Sequence, residues 1–506
     1  MLRQTITENG AVRGVPCTDP LITVYRGIPF AAPPVGENRW RVPQPAENWE
    51  GVRDCSTFAP AAVQQIAGVD FQNMYVKEFR SAWPDMSEDC LYLNIWTPAK
   101  AADEKLPVMV WIHGGGMQCG YSYEPEFDGV GIARRGVVLV SIPYRVGVFG
   151  YLAHPELTAE TGGVGCTNFG LYDQRCALEW VKRNIAAFGG DPDCITIFGQ
   201  SAGGRSVLFQ LTTPLNAPGL FHRAINQSGG GIGGGAMRHY PTLSEAEAAG
   251  EEFFDYIGVK SLAEARALDT ETLRQKGVAF CEKHRWGVSI DGHFVPEDPN
   301  ALLCAGKRLP VPLMCGFTKD DLGLDSLQLS KTPEVFRAMV EDRFPERAAE
   351  ILRLAEADSG NMDRIRANCV MNGQRFGLEL LAQRAADSGL PVYFYEFASD
   401  MPGDDNGTFH SAELWFVFET LGIAWRPFVG RHYDLARQVC SYWTNFAKNG
   451  DPNGLDRNGE ALPVWEPYDP AHPRTMGFRE TAAMDGETMP AVRAMIECTA
   501  DRLWRK

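Results

Sequence analysis

Basic charge is scarce in this 506-residue sequence: 48 Lys and Arg stand against 64 Asp and Glu, a net charge of −16. A polyanion would be repelled on average, so nucleic acid is not an expected partner. No run approaches the roughly 18 uncharged apolar residues that would cross a bilayer, so no membrane span is expected. The start, MLRQTITENGAVRG, lacks the basic region followed by an apolar core that marks a secretory signal. The 13 Cys include no C-x-x-C pair, which leaves zinc and redox motifs without support. Dispersed thiols without a secretory signal point to a reducing, cytoplasmic compartment. Internal repeats, charge blocks and low-complexity linkers are absent.

What is present is core-forming material: 44% of the residues are apolar, including 27 Phe and 12 Trp. The charged fraction of 22% is that of an ordinary folded protein. Short apolar runs recur and end in Gly or a polar turn. They are Val108 to Ile112, Val137 to Ile142, Ile195 to Phe198, Val311 to Cys315 and Val392 to Phe397. Runs apolar on both faces suit buried parallel strands. Between them lie helical patterns. Leu178, Val181, Ile185 and Phe188 share one helical face, and so do Leu435, Val439, Tyr442 and Phe446, with Asp434 and Gly450 placed to cap the second helix. Alternating strands and helices predict an α/β protein with a mostly parallel sheet covered on both faces. Sites in such sheets gather at the carboxyl ends of strands. The glycine-rich stretch GGGIGGG, residues 229–235, reads either as a flexible loop or as a close backbone approach to a ligand.

Two motifs follow apolar runs. Gly199-Gln200-Ser201-Ala202-Gly203 is G-x-S-x-G, the pattern that puts a nucleophilic serine on a sharp strand-to-helix turn. Side chains two positions either side would collide there, which calls for Gly at both. His113-Gly114-Gly115-Gly116 fits a loop whose N–H groups reach a developing oxyanion. Its absence of a following G-K-[ST] argues against a phosphate cradle. The N–H groups of Gly115, Gly116 and Ala202 are the expected oxyanion donors, each worth roughly 3–4 kcal/mol of transition-state stabilisation. His113 is read as structural.

Longer segments carry a resemblance. FGGDPDCITIFGQSAGG and EDCLYLNIWTP, together with GIPFAAPPVGENRW, NFGLYDQRCALEWVKRNI and YWTNFAKNGDPN, resemble the type-B carboxylesterases, relatives of the cholinesterases. The resemblance implies one α/β-hydrolase domain over residues 1–506. It has a large, mostly parallel central sheet flanked by helices, with inserted helical segments covering the active site. It also implies a serine, acid and histidine triad acting on a small-molecule ester, with no metal or organic cofactor. The nucleophile falls on Ser201, the acid on Asp321 in GFTKDDLG, and the base on His410 in GTFHSAELWFVF. The family usually carries Glu where Asp321 stands. Ser228 in NQSGG corresponds to a family serine that supports the acid. The family's loop disulfide would pair Cys90 with a position that here is Ala62, so Cys90 is expected to be a free thiol, as in a bacterial-type member.

By residue type alone, His154, His222 and His293 compete with His410, and Asp320, Asp325 and Asp291 with Asp321; motif position and register select among them. Either carboxylate can orient an imidazole and stabilise its cation. Arg205 follows GQSAGG where relatives carry small residues, and Trp415 stands where they often carry Pro. Met117, Trp286, Phe317 and Trp415 are candidate pocket residues for an aryl or bulky ester, phenolic esters included; the alternative is that these side chains belong to the core.

Overall fold

The computed structural model describes residues 1–65, 74–79, 84–233, 240–321, 332–362, 365 and 374–504. Its contacts divide the chain into two compact units. The first comprises Met1–Arg223, Tyr240–Asp298 and Ile423–Trp425; the second comprises Ala224–His239, Pro299–Gly422 and Arg426–Lys506.

The first unit holds strands β1 (Val15–Pro16), β2 (Thr23–Pro29), β3 (Tyr92–Thr97), β4 (Leu106–Ile112), β5 (Val138–Ile142) and β6 (Gly190–Gln200). Their order is β6-β4-β5-β3-β2-β1. The pairs of β4 with β5 and β6 are parallel, and the remaining pairs are antiparallel. The expected runs at 108–112, 137–142 and 195–198 are therefore strands. They are apolar on both faces because α1 (Phe169–Asn184) and α2 (Ala202–Thr212) supply buried side chains of their own. The helical face at Leu178 and Val181 lies in α1, but Ile185 and Phe188 fall in a tighter 3₁₀ turn that continues it. All four are buried. Helices α3 (Leu243–Ile257) and α4 (Thr270–Phe280) also belong to this unit.

Register explains why two distant motifs meet. Phe198 pairs with Trp111 and Gly199 with Ile112 across β6 and β4. The next residues are Gln200-Ser201 on one strand and His113-Gly114 on the other. Both loops consequently leave the sheet side by side at its carboxyl end.

The second unit holds β7 (Arg223–Gln227), β8 (Leu313–Thr318), β9 (Val392–Phe397), β10 (Arg474–Phe478) and β11 (Ala482–Glu487), paired in that order. The first four are parallel and β11 is antiparallel. The run expected from Val311 enters the sheet only at Leu313, since Pro312 has no N–H to give. Helices α5 (Gln374–Ala386), α6 (Leu414–Val417) and α7 (Gly430–Asn449) belong to this unit. The expected cap at Asp434 is displaced: α7 begins four residues earlier, and the Val429 N–H donates to the His432 ring at 3.0 Å. Asp434 instead lies inside the helix, paired with Arg437 at 2.7 Å. Gly450 closes α7 in the left-handed conformation, as expected.

The described part of the glycine-rich stretch is not a loose loop. Asn226 and Gln374 side chains accept the N–H groups of Gly229 and Gly230 at 3.0 and 2.8 Å. A Cβ on Gly231 would lie 2.0 Å from the Gly377 carbonyl oxygen. The close approach is to the backbone of α5 rather than to a ligand. Gly234 and Gly235, like Asp325, lie outside the described residues.

Candidate active site

Ser201 sits between β6 and α2 at φ 57°, ψ −122°. A non-glycine residue in such a conformation costs about 1–3 kcal/mol and persists only where its surroundings dictate it. The flanking glycines are that surrounding. A Cβ on Gly199 would come within 2.5 Å of the Gly203 backbone, and one on Gly203 within 2.0 Å of the Ile112 carbonyl oxygen. The Arg205 N–H donates to the Ser201 carbonyl at 2.9 Å, so α2 starts directly beyond the serine. Its first N–H groups, Ala202 foremost, have no acceptor within the helix.

The second loop runs alongside. A Cβ on Gly114 would stand 3.2 Å from the Ser201 Cβ. Gly115 and Gly116 adopt φ of 101° and 65°. The turn closes on the Gly115 carbonyl, which accepts the N–H groups of Gln118 and Cys119 at 3.0 and 3.1 Å. Among the described residues, the N–H groups of Gly115 and Gly116 donate to no protein acceptor. The Gln64 side chain grips Gly120 from both sides, accepting its N–H at 2.7 Å and donating to its carbonyl at 3.0 Å. His113 is buried, stacks on Tyr144 with ring centres 4.3 Å apart, and its carbonyl accepts the Tyr144 hydroxyl at 2.9 Å. Burial pushes its pKa down to about 4, so its ring is neutral and structural.

The second unit assembles an acid and a histidine by the same device of register. The Lys319 N–H donates to Phe397 at 2.8 Å, the Asp320 N–H donates to Thr408 at 3.0 Å, and Asp320 bridges to Phe409 in parallel. One residue further along each strand stand Asp321 and His410. His410 Nδ1 hydrogen-bonds to Asp321 Oδ1. The other carboxylate oxygen, Oδ2, accepts the Ser228 hydroxyl at 2.7 Å. Ser228 holds φ 48° and its N–H donates to Gly316 at 2.9 Å, which aims its hydroxyl at the acid. The shorter Asp thus reaches its imidazole without the methylene that Glu would add.

The competing residues have other duties. The His154 ring accepts the Glu156 N–H at 3.2 Å, His222 accepts the Ile195 N–H at 3.1 Å, and His293 meets the Tyr172 hydroxyl at 2.7 Å. Asp291 accepts the N–H groups of His293 and Val295, and Asp320 accepts that of Thr408 at 2.8 Å. The four pocket candidates are all buried. Met117 accepts the Gly147 N–H on its carbonyl at 2.7 Å, and Tyr151 donates to its sulfur at 3.1 Å. The Trp286 ring packs on Phe253 and Phe280, and Trp286 also lines a cavity. Phe317 packs on Phe394 beneath the Arg375 guanidinium. Cys90 is a buried free thiol.

One residue of this neighbourhood escaped the sequence reading. Glu413, three positions after His410, is fully buried, and its Oε2 has no hydrogen-bond partner among the described residues. Burial, reinforced by the nearby Asp321 carboxylate, raises its pKa to about 7. The spacing from His410 was the available signal, but a carboxyl before an apolar segment also reads as a helix start. Among the described residues no three His, Cys, Asp or Glu side chains gather as a metal would need, and no helix is long and apolar enough to cross a membrane.

A serine on a strained elbow and a glycine turn beside it are features of an acyl-transfer site on an α/β scaffold. Comparison with known proteins agrees with that class. Residues 3–494 match the model of the carboxylesterase family, and the chain belongs to that family. It is 34% identical to a medium-chain fatty acyl-CoA hydrolase precursor from Anas platyrhynchos, over 92% of this chain and 87% of that protein. It is 33% identical to the fumonisin B1 esterase of Sphingopyxis macrogoltabida, over 88% and 82% of the two chains. Among solved structures, a PNB esterase superposes with a TM-score of 0.78 at 27% identity, covering 98% of this chain and 99% of the other. The carboxylesterase EST55 of Geobacillus stearothermophilus superposes at 0.76 with 31% identity, covering 97% and 99%. The fold is that of the α/β-hydrolases, and the protein is a carboxylic ester hydrolase.

Proposed function

We propose that this chain cleaves carboxylic esters through an acyl-enzyme formed on Ser201. His410 takes the proton from the Ser201 hydroxyl as its oxygen attacks the ester carbonyl. Asp321 holds the imidazole in the productive tautomer and stabilises its cation, and Ser228 steadies Asp321. The N–H groups of Gly115, Gly116 and Ala202 receive the charge on the tetrahedral oxygen. His410 returns its proton to the leaving alcohol, and water, activated by the same ring, then frees the acid. The observation that carries this reading is the forced φ of Ser201 beside a glycine turn with undonated N–H groups. The substrate class proposed is a bulky or aryl ester, phenolic esters included. Relatives named fumonisin B1 esterase and cocaine esterase support the bulk. The reaction site is proposed to work without metal or organic cofactor, in the cytoplasm of a bacterial cell.

Ser201→Ala is expected to lower kcat on a p-nitrophenyl ester by about 10⁶-fold and to abolish labelling by a fluorophosphonate. Unchanged hydrolysis by the variant would overturn the assignment. A panel varying acyl and alcohol groups separately tests the substrate class, which fails if small aliphatic esters are preferred.

A further inference from the structure

The oxyanion turn is made of glycines, which do not stiffen themselves, yet donors of this kind work only when fixed before the reaction begins. Gln118 leaves that turn and ties it to the segment after α4. Its backbone N–H closes the turn on Gly115 at 3.0 Å. Its side chain goes the other way: Nε2 donates to the Trp286 carbonyl, and Oε1 accepts the Cys281 thiol at 3.3 Å. Arg285 adds a bond from Nη2 to the Gly116 carbonyl at 3.3 Å. The anchor is rigid, because the Trp286 indole N–H donates to Gly277 at 2.9 Å and its ring stacks on Phe280 with centres 5.5 Å apart. A small pocket lies against this flank, lined by Gln118, Val148, Cys281 and Trp286 among others.

We propose that Gln118 is a positioning residue, which fixes the Gly115 and Gly116 N–H groups by anchoring their turn to Trp286 and Cys281. The inference rests on the oxyanion role proposed above for those glycines. A donor displaced by about 1 Å still lets substrate bind but no longer meets the charge that develops in the transition state. Loss of the anchor thus acts on kcat and leaves KM in place.

The test compares Gln118→Ala and Gln118→Glu with the parent enzyme. Glu keeps the size and the acceptor for Cys281 but sets a carboxylate against the Trp286 carbonyl. Both variants are expected to lose about 10- to 100-fold in kcat with KM within about twofold. Affinity for a trifluoromethyl ketone, whose serine adduct places an oxyanion in the hole, should fall in parallel, while that of the unreactive methyl ketone stays. Arg285→Ala, at an exposed position, should show the same pattern at a few-fold and covers the case of a Gln118 variant that does not fold. A kcat within twofold of the parent, or a loss of kcat with trifluoromethyl ketone affinity intact, would overturn the proposal. Ser201→Ala run alongside separates the two readings: if it abolishes hydrolysis while Gln118→Ala is normal, only the positioning role fails.

Discussion

The two units order their candidate residues by different physics. In the first, sterics decide. Ser201 is forced into its conformation because methyl groups at Gly199 or Gly203 would strike backbone, and the neighbouring turn needs glycine at Gly115, where a Cβ would lie 1.9 Å from the Cys119 carbonyl oxygen. In the second, charge and hydrogen bonding decide. Asp321 is held by Ser228 and His410, and Glu413 is buried close by. The contrast separates two kinds of fragility. The first half should tolerate loss of charge and fail on added volume; the second should tolerate conserved volume badly when charge is lost.

The sharpest trial of that contrast is Asp321→Asn, which changes almost no volume. It is expected to lower kcat by about 10⁴-fold, because the imidazole loses its tautomeric control and its counter-charge. Asp320→Asn keeps an oxygen to accept the Thr408 N–H and should stay within a few-fold. Equal losses for the two, on the same p-nitrophenyl ester, would place the acid elsewhere. Next in size is Gly115→Ala, which adds one methyl and no charge. A loss of about 10²- to 10³-fold in kcat, the worth of one oxyanion donor, is expected; normal turnover would show that sterics do not govern this half. Ser228→Ala removes one hydrogen bond to a carboxylate, worth about 1.5–3 kcal/mol. Its expected mark is a loss of kcat/KM of about tenfold, and an effect on KM alone would contradict its role.

The smallest effect concerns stability. Glu413 holds its proton in the folded chain up to about pH 7, against an ordinary carboxyl value of 4.5. At this group the folded chain therefore binds more protons than the unfolded chain between those values, and the stability that Glu413 contributes falls as pH rises through that window. Glu413→Gln imitates the protonated form and should shift the slope of Tm against pH upward between about pH 5 and pH 7.5. An unaltered slope would assign that pH dependence to other groups.

Residues of the two units differ in how far sequence exposes them. The strand ends, the serine elbow and the glycine turn beside it were legible because each depends on local rules: an apolar run, then a glycine where a side chain cannot fit. The α7 start was misread at Asp434 because any Asp before a helical pattern resembles a cap, and the His432 ring that takes the Val429 N–H gives no such signal. The glycine run that starts at Gly229 reads as a flexible loop or a ligand approach because composition does not reveal that Gly231 lies against Gly377 of α5.

By itself the sequence determined the α/β class, the family, and the conformation that Ser201 must take, since these follow from chain-local sterics and from long motifs. Asp321 and His410 could be selected only by their register within those motifs. Tertiary structure decided which carboxylate faces the imidazole, because strand register brings residues 89 positions apart into contact while neighbouring Asp320 turns to Thr408. It also decided that Glu413 is buried and that Gln118 grips Trp286 and Cys281, because burial and long-range hydrogen bonds exist only once the chain has closed on itself.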